Sequence, residues 1–111
     1  MSFDPMAAAV DWLDAYRAGE LEEILGMYAD DALISCDCGG HKTLTGRGAI
    51  RAYWIDRFKR YPAFALDNLK PIRNEIMISY ITTNGLFSAF LTFNASGQIK
   101  TIRCGPANCA A

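Results

Sequence analysis

Gly46-Arg47-Gly48-Ala49-Ile50-Arg51-Ala52-Tyr53-Trp54-Ile55-Asp56-Arg57-Phe58-Lys59-Arg60-Tyr61 is the stretch on which the fold turns. Ile50, Tyr53, Trp54, Phe58 and Tyr61 recur at three- and four-residue intervals, with Arg47, Arg51, Asp56, Lys59 and Arg60 on other faces, which is the period of an amphipathic helix. Pro62 stops it, because the residue before a proline is driven out of the helical region. Upstream, residues 6–18 place Ala9, Leu13 and Tyr16 on one stripe with Trp12 beside it, opened near the first turn by Pro5 and closed by Gly19. Residues 20–28 repeat the pattern with Leu21, Ile24, Leu25 and Tyr28, and acids in the first turn complement the helix dipole. Residues 32–37 have strand propensity before Gly39-Gly40, and residues 42–45 form a short returning strand.

Downstream of Pro62 the period drops towards two. Residues 64–69, 75–82, 86–93 and 98–104 read as strands, with Asn84-Gly85 and Ala95-Ser96-Gly97 as hairpin turns. Three helical segments followed by an antiparallel meander define an α+β domain spanning residues 1–111.

Composition limits the chemistry. The 111 residues carry six Phe, five Tyr and two Trp, are 51% hydrophobic, and balance eleven Lys and Arg against twelve Asp and Glu. About two thirds of the surface of a chain this size leaves water on folding, so a core forms without staples. The near-neutral, evenly mixed charge gives no footprint for nucleic acid. The longest apolar run, residues 6–10, is far short of the ~20 residues of a membrane span, and no basic stretch precedes it as in a signal peptide. Four cysteines (Cys36, Cys38, Cys104, Cys109) are too unevenly spaced to demand a disulfide framework, so a reducing cytoplasm is expected. His41 is the single histidine, which excludes multi-histidine metal sites and forces any Ser-His or Cys-His mechanism through it.

The order of Ala18-Gly19-Glu20-Leu21, Tyr28-Ala29-Asp30-Asp31-Ala32, Gly46 with Ala49-Ile50-Arg51-Ala52-Tyr53-Trp54, and Phe93-Asn94-Ala95-Ser96-Gly97-Gln98-Ile99 resembles the nuclear transport factor 2-like superfamily, in its SnoaL-like and ketosteroid-isomerase branch. The resemblance implies a cone: a strongly bent antiparallel sheet wrapped around a long helix, two further N-terminal helices, an apolar cavity, and a homodimer paired through the outer sheet face. Carried over residue by residue, the isomerase tyrosine falls on Trp12, the general base on Cys36 with Asp37 beside it, and the second acid on Ala89. All three depart from the isomerase chemistry of a tyrosine donor, a carboxylate base and a protonated acid. Residues 86–93 hold no charged side chain, so the Asp-Arg-Asp set of the epoxide-hydrolase branch is unmatched as well.

The expected function is therefore binding of a small apolar, aromatic or polyketide-like molecule without a recognisable catalytic set, metal or cofactor. The resemblance places Trp12, Tyr16, Tyr28, Cys36, Trp54, Phe58, Ala89 and Cys104 at the pocket. Tyr and Trp suit this role, combining apolar area with a polar tip, and buried indole N–H groups need a partner that a water or ligand oxygen can supply. Two alternatives stay open. One is an isomerase, cyclase or dehydratase using Asp37 or Cys36 as proton acceptor and Trp54 or Tyr16 as donor; the other is a dimeric interaction module with a filled cavity. A zinc site built from Cys36, Cys38, His41, Cys104 and Cys109 has the right residue types and poor spacing. Arg57 belongs either to a structural ion pair or to a carboxylate at the cavity mouth. Alternation in residues 86–93 puts Phe87, Ala89, Leu91 and Phe93 inward and Phe90 on the outer face, where a second copy would cover it.

Overall fold

The computed structural model describes residues 3–36, 42–83 and 85–106. In chain order the elements are α1 (Pro5–Ala18), α2 (Leu21–Gly26), β1 (Tyr28–Cys36), β2 (Lys42–Thr45), α3 (Arg47–Arg60), β3 (Ala63–Ile72), β4 (Glu75–Thr82), β5 (Gly85–Phe93) and β6 (Ile99–Pro106). The Asp4 carboxylate accepts from the Met6 and Ala7 N–H groups at the start of α1, and Gly19, at φ 69°, closes it in the left-handed conformation. α2 is shorter than its periodicity predicts: Tyr28 belongs to β1, where it pairs with Ile99. A register shift between Tyr28 and Leu33 interrupts the alternation of that strand. This bulge hides the first half of β1 from a period-two reading.

The six strands form one sheet in the order β2-β1-β6-β5-β4-β3. It is α+β as expected, but the sheet is mixed, because β1 and β6 run parallel while every other pair is antiparallel. The reason is topological. α3 carries the chain across to the far edge, so the hairpin-linked strands β3 to β6 end beside β1 in its own direction, and only hairpin neighbours are obliged to be antiparallel. Pro71 lies within β3, longer than the strand read from residues 64–69, and is tolerated because β3 is an edge strand. Further shifts at Ala63/Leu66, Leu66/Asn68 and Thr92/Phe93 bend the sheet.

α1 and α3 are each 14 residues long and meet over the concave face, where Trp12 and Trp54 pack edge to face. The inward face of the sheet supplies Ile34, Ile76, Ile78, Tyr80, Phe87, Ala89, Leu91 and Ile102 to the same core. Phe87, Ala89, Leu91 and Phe93 do face inward, and Phe90 lies outside. Phe90 is already covered in part by its own chain: the Arg103 guanidinium stacks 4.6 Å from its ring centroid and is held there by Glu75 at 2.9 Å. No helix among the described residues is long and apolar enough to cross a membrane.

Candidate functional site

At the centre of the concave face the Tyr28 hydroxyl accepts two hydrogen bonds, from Trp12 Nε1 at 3.1 Å and Trp54 Nε1 at 3.2 Å. Trp12 and Trp54 are 1% exposed and Tyr28 is fully buried. Both indole groups are thus satisfied by the chain itself, and neither needs a pocket water or ligand oxygen. Burial pushes the Tyr28 hydroxyl strongly upward, against the pull of the two indole hydrogen bonds, so it stays neutral.

Tyr16 and Tyr80 extend this layer. Tyr16 packs edge-on to Trp12, Trp54 and Tyr80, with ring centroids 4.8–5.7 Å apart. Its hydroxyl donates to the backbone carbonyl of Tyr61, fixing the end of α3 to α1. Burial raises its pKa to about 12, opposed by the charge of Arg57. Tyr80, on the Ile76, Ile78, Tyr80 face of β4, is raised further by burial, again with Arg57 opposing.

Arg57 is the charged member of the cluster. It sits one turn beyond Trp54 on the buried stripe of α3 and is 6% exposed. Its guanidinium carbon lies 5.1–5.6 Å from the ring centroids of Tyr16, Tyr53, Tyr61 and Phe87. Nη2 donates to the Tyr80 hydroxyl at 3.2 Å, and Nε has no hydrogen-bond partner. Among the described residues no carboxylate lies within ion-pairing distance of Arg57, so none of them forms the ion pair considered from the sequence. Burial opposes the charge, but Tyr80, Cys104, Tyr53 and Tyr16, whose ionised forms would pair with it, push the balance upward; Arg57 stays protonated.

The structure brings Trp12, Tyr16, Tyr28, Trp54 and Phe58 into one aromatic cluster, with Phe58 half-buried against Tyr16 and Trp54. Ala89 and Cys104 are register partners on β5 and β6, and both are buried. The Cys104 sulfur lies 3.0 Å from the Tyr53 hydroxyl. Cys36 is the register partner of Cys104 on β1, and nothing is described of its side chain. Asp37, Cys38, His41 and Cys109 lie outside the described residues. The proton donors of the enzyme alternative are both engaged, Trp54 with Tyr28 and Tyr16 with the Tyr61 carbonyl. Sequence reasoning missed Tyr61, Tyr80 and Phe87 as members of the site. Tyr80 and Phe87 are inward positions of alternating strands, and Tyr61 continues the Ile50, Trp54, Arg57 stripe of α3.

A concavity of about 320 Å³ opens between α2 and α3 and is lined by Glu22, Leu25, Gly26, Arg47, Gly48 and Arg51. Its cations are committed. Arg51 pairs with Glu22 at 2.5 Å, and Arg47 pairs with Asp30 at 2.8 Å while donating to the carbonyls of Leu25 and Tyr28. Asp30 therefore holds the start of α3 to β1.

The sequence matches no protein-family model and none of the curated proteins. In structure it is similar to a SnoaL-like protein of unknown function from Burkholderia thailandensis, at a TM-score of 0.76 and 21% identity, over 89% of this chain and 91% of that one. It is also similar to SalBIII, an epoxide hydrolase/cyclase-like enzyme of pyran ring formation in the polyether salinomycin, at a TM-score of 0.77 and 16% identity, over 90% of this chain and 88% of that one. The fold is thus the SnoaL-like cone.

Proposed function

We propose that the chain binds a small, flat apolar or aromatic molecule at the end of the aromatic cluster formed by the second half of α3. The observation that carries this is a change in packing along α3. Around Tyr28 the rings are sealed and mutually satisfied, whereas Tyr53, Phe58 and Tyr61 are only half-buried while still packed against the inner rings. Apolar rings with accessible edges and convergent polar groups are the usual wall of a ligand site. A cytoplasmic setting and a homodimer through the outer sheet face belong to the same proposal. Exposed Leu33, Ile81 and Leu86 on that face support the dimer, alongside the Ser79–Ser88 and Thr92–Thr101 hydroxyl pairs.

The test is titration of the protein with 2-naphthamide, a neutral planar probe, followed by side-chain NMR. Shifts confined to Tyr53, Phe58 and Tyr61, with the Trp12 and Trp54 indole signals unmoved, are expected. Absence of any shift at millimolar probe overturns the proposal and favours an interaction module, to which the sealed Trp12–Tyr28–Trp54 core lends itself.

A further inference from the structure

Seven arginines occur in the chain. Five of them, Arg17, Arg47, Arg51, Arg60 and Arg103, are at least 48% exposed at the side chain and each has a carboxylate within 3.6 Å. Arg57 inverts both properties, being 6% exposed and without a carboxylate partner among the described residues. Taking a cation out of water carries a heavy penalty that a neutral surround repays only in part.

The four surrounding rings return some of it, since a cation over a π face is attracted to the ring quadrupole. They leave the guanidinium's in-plane requirements unmet. A guanidinium has five N–H donors in a planar fork; here Nη2 serves the Tyr80 hydroxyl and the Tyr16 hydroxyl is drawn to the same group, while Nε–H serves nothing. The neighbouring hydroxyls cannot supply the missing negative charge, because burial holds Tyr16 and Tyr80 in their neutral forms.

We propose that Arg57 is an anion-binding group, completed by the carboxylate of a planar aromatic acid that enters beside Tyr53, Phe58 and Tyr61. The free Nε–H and the remaining N–H donors take the two carboxylate oxygens, a geometry that guanidinium matches better than any other side chain. The flat body of the ligand lies against the half-buried rings. This rests on the ligand site proposed above and adds to it the charge of the ligand.

Calorimetric titration of the full chain with 2-naphthoate and 2-naphthamide, two probes alike in shape and different in charge, tests it at neutral pH. Naphthoate binds at least roughly tenfold more tightly than the amide, the size of one charge-assisted hydrogen bond. Arg57→Gln removes that preference and leaves amide binding in place, while Arg57→Lys, which keeps the charge without the fork, retains part of it. In the unaltered protein the Arg57 Nε–H resonance moves on adding naphthoate and the two indole N–H resonances do not, which keeps the test available if a variant fails to fold. Equal affinity for the two probes, or a preference that survives Arg57→Gln, overturns the anion assignment and leaves the ligand site standing. Failure of both probes at millimolar concentration removes the site and the anion assignment together.

Discussion

Tyr28→Phe removes one oxygen atom and orphans two donors. Trp12 Nε1 and Trp54 Nε1 both end on that oxygen, at 3.1 and 3.2 Å, and all three side chains are at most 1% exposed. A buried donor left without a partner costs ~1–3 kcal/mol, so two cost ~2–6 kcal/mol. A domain of 111 residues has a total stability of ~6–17 kcal/mol at ~0.05–0.15 kcal/mol per residue. One hydroxyl thus governs a large part of the margin. At ~4 °C per kcal/mol for a domain this size, melting falls by ~8–24 °C. Urea unfolding followed by tryptophan fluorescence measures the loss directly, and the dependence on urea concentration stays unchanged if only the two bonds are lost. A loss below ~1 kcal/mol, with both indole N–H groups still protected from exchange, would refute the reasoning. It would mean that the indoles find another acceptor and that Tyr28 is an ordinary core ring.

Alkaline pH should act through the same layer. Tyr16 is raised to about 12, and Tyr28 and Tyr80 are raised further, so below pH 10 their contribution is fully present. Above pH 10 the unfolded chain loses these protons while the folded one keeps them, and stability falls by up to ~1.4 kcal/mol per pH unit per tyrosine. Absorbance of tyrosinate should show Tyr16, Tyr28 and Tyr80 still protonated at pH 11 for as long as the chain stays folded; their ionisation at that pH in a folded chain contradicts this. Gly97→Ala forces a side chain at φ 81° and sets its Cβ 3.0 Å from the Phe3 ring, displacing Phe3 from Phe93. A loss of ~1–3 kcal/mol is expected by thermal unfolding, and no change would show that the 94–97 turn adapts. Asp4→Ala strips the cap from α1 and should cost ~1 kcal/mol, at most half of the Tyr28→Phe effect in the same assay. In sedimentation velocity at micromolar concentration the chain should run as a dimer, and Leu86→Lys on the outer face should shift it to monomer; a monomer at the outset rejects that interface.

Much of the cone was legible. The helices came from stripes of three- and four-residue period, β4 and β5 from alternation, and the turn at Gly97 from its glycine. The misreadings share a cause. Tyr28 keeps helical spacing with Leu21, Ile24 and Leu25, yet it is a strand residue, because the bulge in β1 turns it onto the same buried side as α2. β3 runs on through Pro71 to Ile72, beyond the strand read from residues 64–69, because an edge strand has no neighbour to miss the proline's absent N–H.

By itself the sequence determined which residues had to leave water and in what local geometry, since side-chain period and turn chemistry act over a few residues. It could not decide pairing direction: whether β6 lies parallel or antiparallel to β1 depends on the path of α3, which no local pattern encodes. Nor could it decide how polar groups are satisfied. Tyr28 accepts from two indoles 16 and 26 residues away in the chain, and only the meeting of α1, α3 and β1 brings those atoms together. Arg57 is the sharpest case. It lies on the same stripe as Ile50, Trp54 and Tyr61, a signal available from spacing alone, but whether a charge on such a stripe is solvated, paired or caged depends on what closes over it. Here α1, β4 and β5 bring up Tyr16, Tyr80 and Phe87, three neutral rings, and leave a buried cation without a counter-charge among the described residues.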